Sequence, residues 1–354
     1  MSNTRQLIGV LLKDMPLYLP ALVRGGNAHL AIRNRAERLE PAADASGFRC
    51  DWQWTSDLHA PKVIPALGRR LMQRAIATHP IAHANTPGPH REPSPQISFL
   101  IGHRGIERLP HLTATLRSIA AQEGVRVECI VAEQDAQAQL RDRLPSWVTL
   151  LHTPPPAANM PYCRSWAFNI AAQHARAPVL VLHDNDMLVC ADYAAQILHR
   201  VSQGYDVVNL KRFIFYLSES HTDGVFRGRA GLLDAAPHVI VQNLEAGGSV
   251  AITRAGFDAI GGMDESFVGW GGEDNEFWER ARTLRAWTWG CLPLIHLWHA
   301  PQAGRHDAHC ETAKHYRALA QIDPSERIRQ LKSVSRGSAH GPVNWPPIPQ
   351  GSTR

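Results

Sequence analysis

The amino-acid sequence predicts an α/β fold with a mostly parallel central sheet flanked by helices. Short runs of apolar and β-branched residues alternate along the chain with segments whose apolar residues recur at helical spacing, which is typical of parallel strands joined by helices. The expected strands are residues 97–101, 127–131, 179–182, 206–210 and 250–252. The expected helices are residues 109–119, 164–174, 193–201 and 275–285, with another beginning near Thr253.

The chain of 354 residues is longer than a typical single domain. Prolines recur at positions 80, 87, 89, 93 and 95, so we interpret residues 80–96 as a linker, because neither a helix nor a central strand tolerates them. Residues 97–305 then form the main domain. Residues 1–79 are an extension of unknown role with one expected helix at residues 65–77. Residues 306–354 are expected to be a C-terminal helix and a flexible tail.

Composition and charge exclude several classes of protein. The formal net charge of +5 is small and dispersed, so no nucleic-acid groove is expected. The apolar run at residues 7–12 ends at Lys13 and Asp14, too short for a signal peptide, and no apolar stretch approaches the ~20 residues that span a bilayer. Any membrane contact is therefore expected to be peripheral. Six cysteines without a C-x-x-C pair favour reduced thiols and a cytoplasmic protein.

Polar residues follow three of the expected strands. Ligands of parallel α/β sheets gather outside the carboxyl ends of the strands, so these residues are the first candidates for a binding site. They are His103 and Arg104, Glu133, and Asp184 with Asp186. Two carboxylates separated by one residue can present oxygens to one hard cation, although an Asx-type turn closing the strand has the same pattern.

A glycine-rich segment with one tryptophan comes directly before two acidic residues. Trp270 lies among Gly269, Gly271 and Gly272, as in a movable lid, and its indole could pack on a sugar ring. Glu273 and Asp274 either cap the following helix or supply a catalytic base, and both roles are compatible. Further upstream, Gly248 would let the backbone approach a ligand closely.

Two histidines, His296 and His299, follow the apolar run at residues 287–295. At this spacing both can contact one metal if the backbone turns between them. Histidine ligands keep zinc in contention, whereas sharing the ion with Asp186 and a diphosphate would favour manganese or magnesium. His306 and His309 extend the stretch and are interpreted as surface residues.

The order of these segments, over about residues 97–301, resembles the glycosyltransferases that carry the galactosyltransferase C-terminal motif, namely the Golgi-type β-galactosyltransferases and chondroitin-polymerase-type enzymes. The most specific element is residues 269–274, which resembles the W-G-G-E-D box of that family. The resemblance implies a GT-A fold, with a Rossmann-like, mostly parallel central sheet. It also implies a UDP-sugar donor, Mn²⁺ or Mg²⁺ as cofactor, and a glycan or glycolipid acceptor.

The resemblance implies a role for each matched residue. In the donor site, His103, Arg104 and Glu133 would hold the nucleoside, Arg164 and Asn169 would line the uridine and diphosphate, Asp184 would lie near the ribose or donor sugar, and Gly248 and Trp270 would complete the site. The implied metal ligands are Asp186, His299 and His296. The implied catalytic acids are Asp274, acting as the base of an inverting transfer, and Glu273 beside it.

Two departures from the family pattern point to a different acceptor. The box continues with Asn275 and Glu276 where relatives have a further aspartate. Residues 213–239 are interpreted as a loop that matches no known segment, and this loop is expected to shape the acceptor site. The expected pathway is surface polysaccharide or glycoconjugate synthesis, at or near the inner face of the membrane. Two alternatives stay open at this point: a metal-dependent carbohydrate hydrolase or deacetylase, and a non-catalytic carbohydrate-binding protein.

Overall fold

The computed structural model describes residues 3–50, 56–88, 94–242, 245–301 and 311–342. The strands are β1 (Leu39–Pro41), β2 (Phe48–Cys50), β3 (Ser56–Asp57), β4 (Ile97–His103), β5 (Val127–Glu133), β6 (Val148–His152), β7 (Val179–His183), β8 (Met187–Val189), β9 (Val207–Val208), β10 (Lys211–Tyr216), β11 (Val239–Gln242), β12 (Ser249–Thr253), β13 (Ala286–Trp287) and β14 (Leu292–His296). The helices are α1 (Asn3–Lys13), α2 (Met15–Val23), α3 (His59–Val63), α4 (Pro65–Thr78), α5 (Leu109–Ala120), α6 (Arg164–His174), α7 (Tyr193–Ser202), α8 (Glu219–Phe226), α9 (Arg254–Ala259), α10 (Glu273–Ala281), α11 (Glu311–Leu319) and α12 (Pro324–Lys332).

The larger sheet has seven strands in the order β13-β9-β12-β7-β4-β5-β6. Its centre is parallel, because β7, β4, β5 and β6 all run in one direction, and α5 and α6 pack against it. The predicted α/β fold class is therefore confirmed. The other half of the sheet differs from a purely parallel arrangement, since β12 pairs antiparallel with both β7 and β9.

Two predicted elements have different bounds in the structure. The helix expected at residues 275–285 is α10, which begins at Glu273 directly after Gly272, whose φ of 94° cannot belong to a right-handed helix. The strand expected at residues 206–210 is reduced to β9, because the side chain of Asn209 accepts the backbone N–H of Lys211 and turns the chain into β10.

A second, five-stranded sheet has the order β3-β11-β10-β14-β8 and joins the extension to the main domain. Strand β3, from residues 1–79, pairs with β11, and the buried guanidinium of Arg212 donates to the carbonyl oxygens of Leu30 and Ile32. The region at residues 213–239, which sequence analysis treated as a loop, contains most of β10, all of α8 and the start of β11. It is therefore a structural part of this sheet.

The segments on either side of the main domain also contact it. Asn85 lies in the proline-rich segment, and its carbonyl accepts a hydrogen bond from the indole of Trp147. The residues that follow α12 also contact the main domain. The carbonyl of Ser338 accepts a hydrogen bond from the indole of Trp166, and the backbone N–H of Gly337 donates to Glu265. Residues 343–354 lie outside the described residues.

No single helix in the described ranges is long and apolar enough to cross a membrane, whereas the pair Thr4–Lys13 and Met15–Val23, bent by 58°, meets those criteria only when taken together. The cysteines within these ranges are all buried, and none of them forms a disulfide: Cys50, Cys129, Cys163, Cys190 and Cys291. Cys310 lies outside them.

Candidate active site

The site is built where β7 and β14 end next to each other. Asp186 follows β7 and directly precedes β8, whose first residue, Met187, pairs with His296, the last residue of β14. The backbone N–H of Leu297 then donates to the carbonyl of Asp186. The antiparallel pairing of β8 with β14 therefore places Asp186 beside the histidine segment, although more than a hundred residues separate them.

Asp186, His296 and His299 form a three-residue cluster whose ligand atoms all lie within 4.8 Å of one another. Nε2 of His299 is 3.3 Å from Oδ2 of Asp186, and Nε2 of His296 is 3.7 Å from Oδ1. A cation about 2.1 Å from each donor atom accommodates donors up to about 4.2 Å apart, so the separations of both histidines from Asp186 are compatible with one ion. The structure thus brings together the three ligands that the sequence suggested.

The turn between the two histidines is held from both sides. Nε2 of His111, in α5, donates to the carbonyl of Trp298, and the backbone N–H of Trp298 donates to the hydroxyl of Thr222 in α8. The ring of Tyr216 stacks on His296 with the centroids 4.2 Å apart. The histidines are therefore fixed by their neighbours rather than by their spacing alone.

The carboxylate of Asp186 is buried among positive groups. Burial by itself would raise its pKa, but His296, Arg108 and His299 outweigh that effect and hold the pKa below its usual value. The guanidinium of Arg108 bonds Oδ2 of Asp186 and the side-chain oxygen of Asn185. The buried Oδ1 accepts no hydrogen bond from the described residues. An ionised carboxylate with an open oxygen, next to two imidazoles, suits a divalent cation.

The other half of the site is a row of alternating charges centred on Arg164, the first residue of α6. Its Nε and Nη2 donate to Oδ1 of Asp184, at 2.9 and 2.6 Å, and its Nη1 bonds Oδ1 of Asp274. Asp184 and Asp186 thus face different partners, because the first pairs with Arg164 and the second belongs to the metal cluster. Arg164 links the strand end that carries both aspartates to the start of α10.

Glycines allow the chain to approach this row closely. Gly247, at a φ of 74°, lies so close to Asp274 that a Cβ there would be 2.6 Å from its Oδ2. The carbonyl of the next residue, Gly248, accepts the backbone N–H of Asp184. Any side chain at position 247 would displace Asp274, and Gly248 fixes the backbone at Asp184.

The segment at residues 269–272, which the sequence suggests is a movable lid, has a backbone that requires glycine. Gly269, Gly271 and Gly272 all have φ values near +100°, which residues with side chains rarely adopt. The hydroxyl of Thr312, in α11, donates to the carbonyl of Trp270, whose side chain is 41% exposed. Helix α11 therefore holds this segment while leaving the indole open to solvent.

Glu273 and Asp274 are adjacent but differ in environment. The side chain of Asp274 is 34% exposed, whereas that of Glu273 is buried and accepts the backbone N–H of Gly271. Burial, followed by the nearby charge of Asp274, raises the pKa of Glu273. Glu273 thus fixes the glycine turn, and Asp274 is the carboxylate that can reach a solvent-borne substrate.

The other residues predicted to bind the sugar donor lie either beside the metal half of the site or against the protein's own backbone. His103 lies beside the metal half, with Nδ1 3.1 Å from the side-chain nitrogen of Asn185, and burial lowers its pKa to about 4. Arg104 donates to the carbonyl of Met160. Glu133 pairs with His103 across the sheet but turns its carboxylate to the backbone N–H groups of Gln139 and Leu140.

Asn169 lies in the interior, behind the strand ends. Its amide nitrogen donates to the carbonyl of Met263 and to Glu265, and its oxygen accepts the backbone N–H of Met263. These bonds tie α6 to the loop that leads into the lid segment. His306 and His309 lie outside the described residues.

Sequence analysis missed two basic residues of the site. Arg108 lies only four residues beyond Arg104, and Lys211 begins β10 with its Nζ 2.6 Å from the carbonyl of Ser249. Burial lowers the pKa of Lys211 to about 7, although Asp274 and Asp184 oppose that shift. The available signal was the pair of basic residues, Lys211 and Arg212, at the head of an otherwise apolar strand.

With this geometry in place, comparison with known proteins gives one match within the sequence. Residues 242–288 match the family model described as "N-terminal domain of galactosyltransferase". The matched segment includes Gly248, the lid glycines and Asp274. The predicted enzyme class, a glycosyltransferase, is confirmed by this match. No curated protein sequence is similar enough to the chain to count as a relative.

The solved structures that match this chain include two glycosyltransferases. The catalytic domain of Drosophila beta1,4galactosyltransferase 7, in complex with xylobiose, has 16% identity and a TM-score of 0.39, and the similarity covers 68% of this chain and 82% of that one. GalNAc-T7 with UDP, GalNAc and Mn²⁺ has 15% identity and a TM-score of 0.46, covering 70% of this chain and 53% of that one.

Proposed function

We propose that this protein transfers a sugar from a UDP-sugar to a hydroxyl group of a glycan or glycolipid, with Mn²⁺ or Mg²⁺ as its cofactor. One observation carries the proposal. A three-ligand metal cluster at Asp186 and a solvent-accessible carboxylate at Asp274 belong to one continuous site, because Asp184 and Arg164 connect them. A hydrolase would not need the glycine and tryptophan segment that leads to Asp274.

The donor set favours a metal with oxygen preference. Asp186 supplies an oxygen and His296 and His299 supply nitrogens, so two diphosphate oxygens would make oxygen ligands the majority, as manganese and magnesium prefer. When bound, the cation would neutralise the charge that develops on the leaving diphosphate. Asp186 would hold the cation together with the imidazoles of His296 and His299.

Asp184 and Arg164 orient the donor. Arg164 is largely buried, and its ion pairs with Asp184 and Asp274 hold it in place. Asp184 remains one-third exposed and uses one oxygen for Arg164, which leaves the other for hydroxyl groups of the ribose or sugar. The site thus holds the reacting carbon between the metal half and Asp274.

Asp274 is the proposed base. Its ion pair with Arg164 holds the carboxylate at the partly exposed start of α10, where it can accept a proton from a bound hydroxyl group. The acceptor hydroxyl gives its proton to Asp274 and attacks the anomeric carbon as the bond to the diphosphate breaks on the opposite face. This path inverts the anomeric configuration. NMR of fresh product measures that configuration, and retention would contradict the role of Asp274 as base.

We place the reaction in surface polysaccharide or glycoconjugate synthesis in the cytoplasm. Buried cysteines without a disulfide among the described residues fit a reducing compartment, and a basic chain suits an anionic sugar nucleotide.

A thermal-shift screen of nucleotide sugars, each with Mn²⁺, with Mg²⁺ and with a chelator, tests the proposed function. One UDP-sugar is expected to raise the melting temperature only when metal is present. Asp186→Asn should abolish that metal-dependent rise while leaving the unliganded melting temperature close to the wild-type value. If no nucleotide sugar stabilises the wild-type protein in either metal, the proposal is wrong.

A further inference from the structure

The outer surface of the first two helices is unusually apolar. Nine large apolar side chains are exposed among the described residues, and six of them lie in α1 or α2. These six, which we call the hairpin surface, are Leu7, Ile8, Leu11, Leu12, Leu19 and Val23. Leu12 and Val23 are the most open, at 72% and 74% exposure. A concentration of this kind marks an interaction site rather than the scattered exposure that is normal for a surface.

The spacing shows that these side chains form continuous stripes. On α1, Leu7 and Leu11 are four residues apart, as are Ile8 and Leu12, so each pair lies along one side of the helix. The opposite side of the hairpin faces the core through Val10, which is buried. The hairpin is thus anchored on its inner side, and its outer side offers apolar residues to solvent.

The inner side of α2 completes that anchor. Tyr18 and Leu22 are buried, and Arg74 of α4 donates to the carbonyl oxygens at the end of α2, those of Leu22, Val23 and Arg24. The two helices are bent by 58° relative to each other. A pair fixed in this way can lie flat against a surface without leaving the protein.

The exposed charges of α1, α2 and the residues at their ends are of one sign. Residues 1–36 contain a single carboxylate, that of Asp14, which is buried and paired with Arg35. The exposed charged residues of the two helices and their ends are Arg5, Lys13 and Arg24. Exposed leucines bordered by basic residues, with no exposed acid, are the composition of helices that lie in the interface of an anionic membrane.

We propose that the hairpin surface docks the protein onto an anionic lipid bilayer, with α1 and α2 lying in the plane of the headgroups. A second copy of the chain fits less well, because two such faces would bring like charges together. The inference is independent of the proposed function, since none of these residues contacts the metal cluster or Asp274. It gives an enzyme with a lipid-linked acceptor a means of staying at the membrane.

Sedimentation of the full-length protein with lipid vesicles tests this inference. The protein should bind vesicles that contain phosphatidylglycerol and bind pure phosphatidylcholine weakly, and added salt should release it. Leu12→Gln should lower the partition coefficient about tenfold, because one leucine no longer leaves water. Lys13→Gln should lower it about fivefold, the effect of one basic residue near an anionic surface.

The matched control is Val334→Gln, which changes an exposed apolar residue outside the hairpin and should leave binding unchanged. Circular dichroism and UDP-sugar stabilisation should be the same for all variants. Equal sedimentation with and without vesicles, or equal binding by wild type and Leu12→Gln, would overturn the proposal. So would a lipid-free dimer, seen by analytical ultracentrifugation, that Leu12→Gln dissociates.

Discussion

The two halves of the site are constructed differently. The metal half, with Asp186, His296 and His299, stands on strand ends whose pairing fixes its geometry. The base half, with Asp274, stands at the start of a helix behind a run of glycines at positive φ, and helix α11 holds that run from outside. Rigid strand ends suit a cation that needs fixed ligands, whereas a glycine segment suits a substrate that must enter and leave.

Because the halves differ, variants should separate them. Damage to the metal half should appear in metal affinity, and damage to the base half should appear in turnover. Arg164 is the exception, since it contacts Asp184 and Asp274 at once.

The largest expected effect is on turnover. Asp274→Asn keeps the shape of the side chain but removes the proton acceptor, so kcat should fall by about 10²–10⁴-fold. The fall in kcat is measured by steady-state kinetics with the UDP-sugar that the thermal-shift screen identifies. The control is Asp258→Asn, at an exposed carboxylate paired with Arg336, which should retain activity. Near-normal kcat in Asp274→Asn would mean that another group takes the proton.

Loss of one metal ligand should be the next largest effect. His299→Gln should weaken Mn²⁺ binding by at least about 10–100-fold, the range seen even for partners outside the first coordination shell. Electron paramagnetic resonance of free Mn²⁺ gives the affinity without any substrate. The control is the same substitution at the exposed His199, which should leave Mn²⁺ affinity unchanged. Unchanged affinity in His299→Gln would exclude this histidine from the site.

Arg108 should act in the opposite direction. Its guanidinium bonds Oδ2 of Asp186, so a cation must compete with it for the same carboxylate. Arg108→Met should therefore raise Mn²⁺ affinity by up to about tenfold, the strength of one hydrogen bond to a charged group. The matched control is Arg176→Met, which removes an ion pair with Glu128 away from the site and should leave Mn²⁺ affinity unchanged. A lower affinity in Arg108→Met would show that Arg108 supports the metal half instead.

The smallest expected effect concerns the lid. Thr312→Val removes the hydroxyl that holds the carbonyl of Trp270, at a cost of about 1 kcal/mol or about fivefold in kcat/KM, with Mn²⁺ affinity unchanged. Thr283→Val is the matched control, because that hydroxyl also donates to a carbonyl, that of Arg280, at another helix end. A change in Mn²⁺ affinity in Thr312→Val would contradict the separation of the two halves.

The sequence predicted the parts of the site that depend on local pattern. An apolar run followed by acids placed Asp184 and Asp186 at a strand end, and helix α6 has the predicted bounds. The antiparallel direction of single strands such as β12 could not be predicted, because residues alternate in the same way in parallel and antiparallel strands. The antiparallel β12 and the pairing of β8 with β14 were therefore found only in the structure, although the latter assembles the metal cluster.

The remaining features that were not predicted from the sequence depend on contacts between segments that are distant along the chain. Nothing near Arg108 in sequence indicates that it reaches Asp186, and nothing near Thr312 indicates that it holds Trp270. The apolar run at residues 7–12 is visible in the sequence, but only packing shows that its leucines face outward. Which side of an apolar helix is buried depends on what it packs against.

Calorimetric titration of UDP, in the presence of Mn²⁺, into the wild-type protein, Asp186→Asn and Asp274→Asn tests the central claim most directly. We expect Asp274→Asn to bind UDP as tightly as the wild type does, and Asp186→Asn to lose the part of the affinity that depends on metal. Equal loss in both variants, or loss in Asp274→Asn alone, would contradict a site with a metal half at Asp186 and a base half at Asp274.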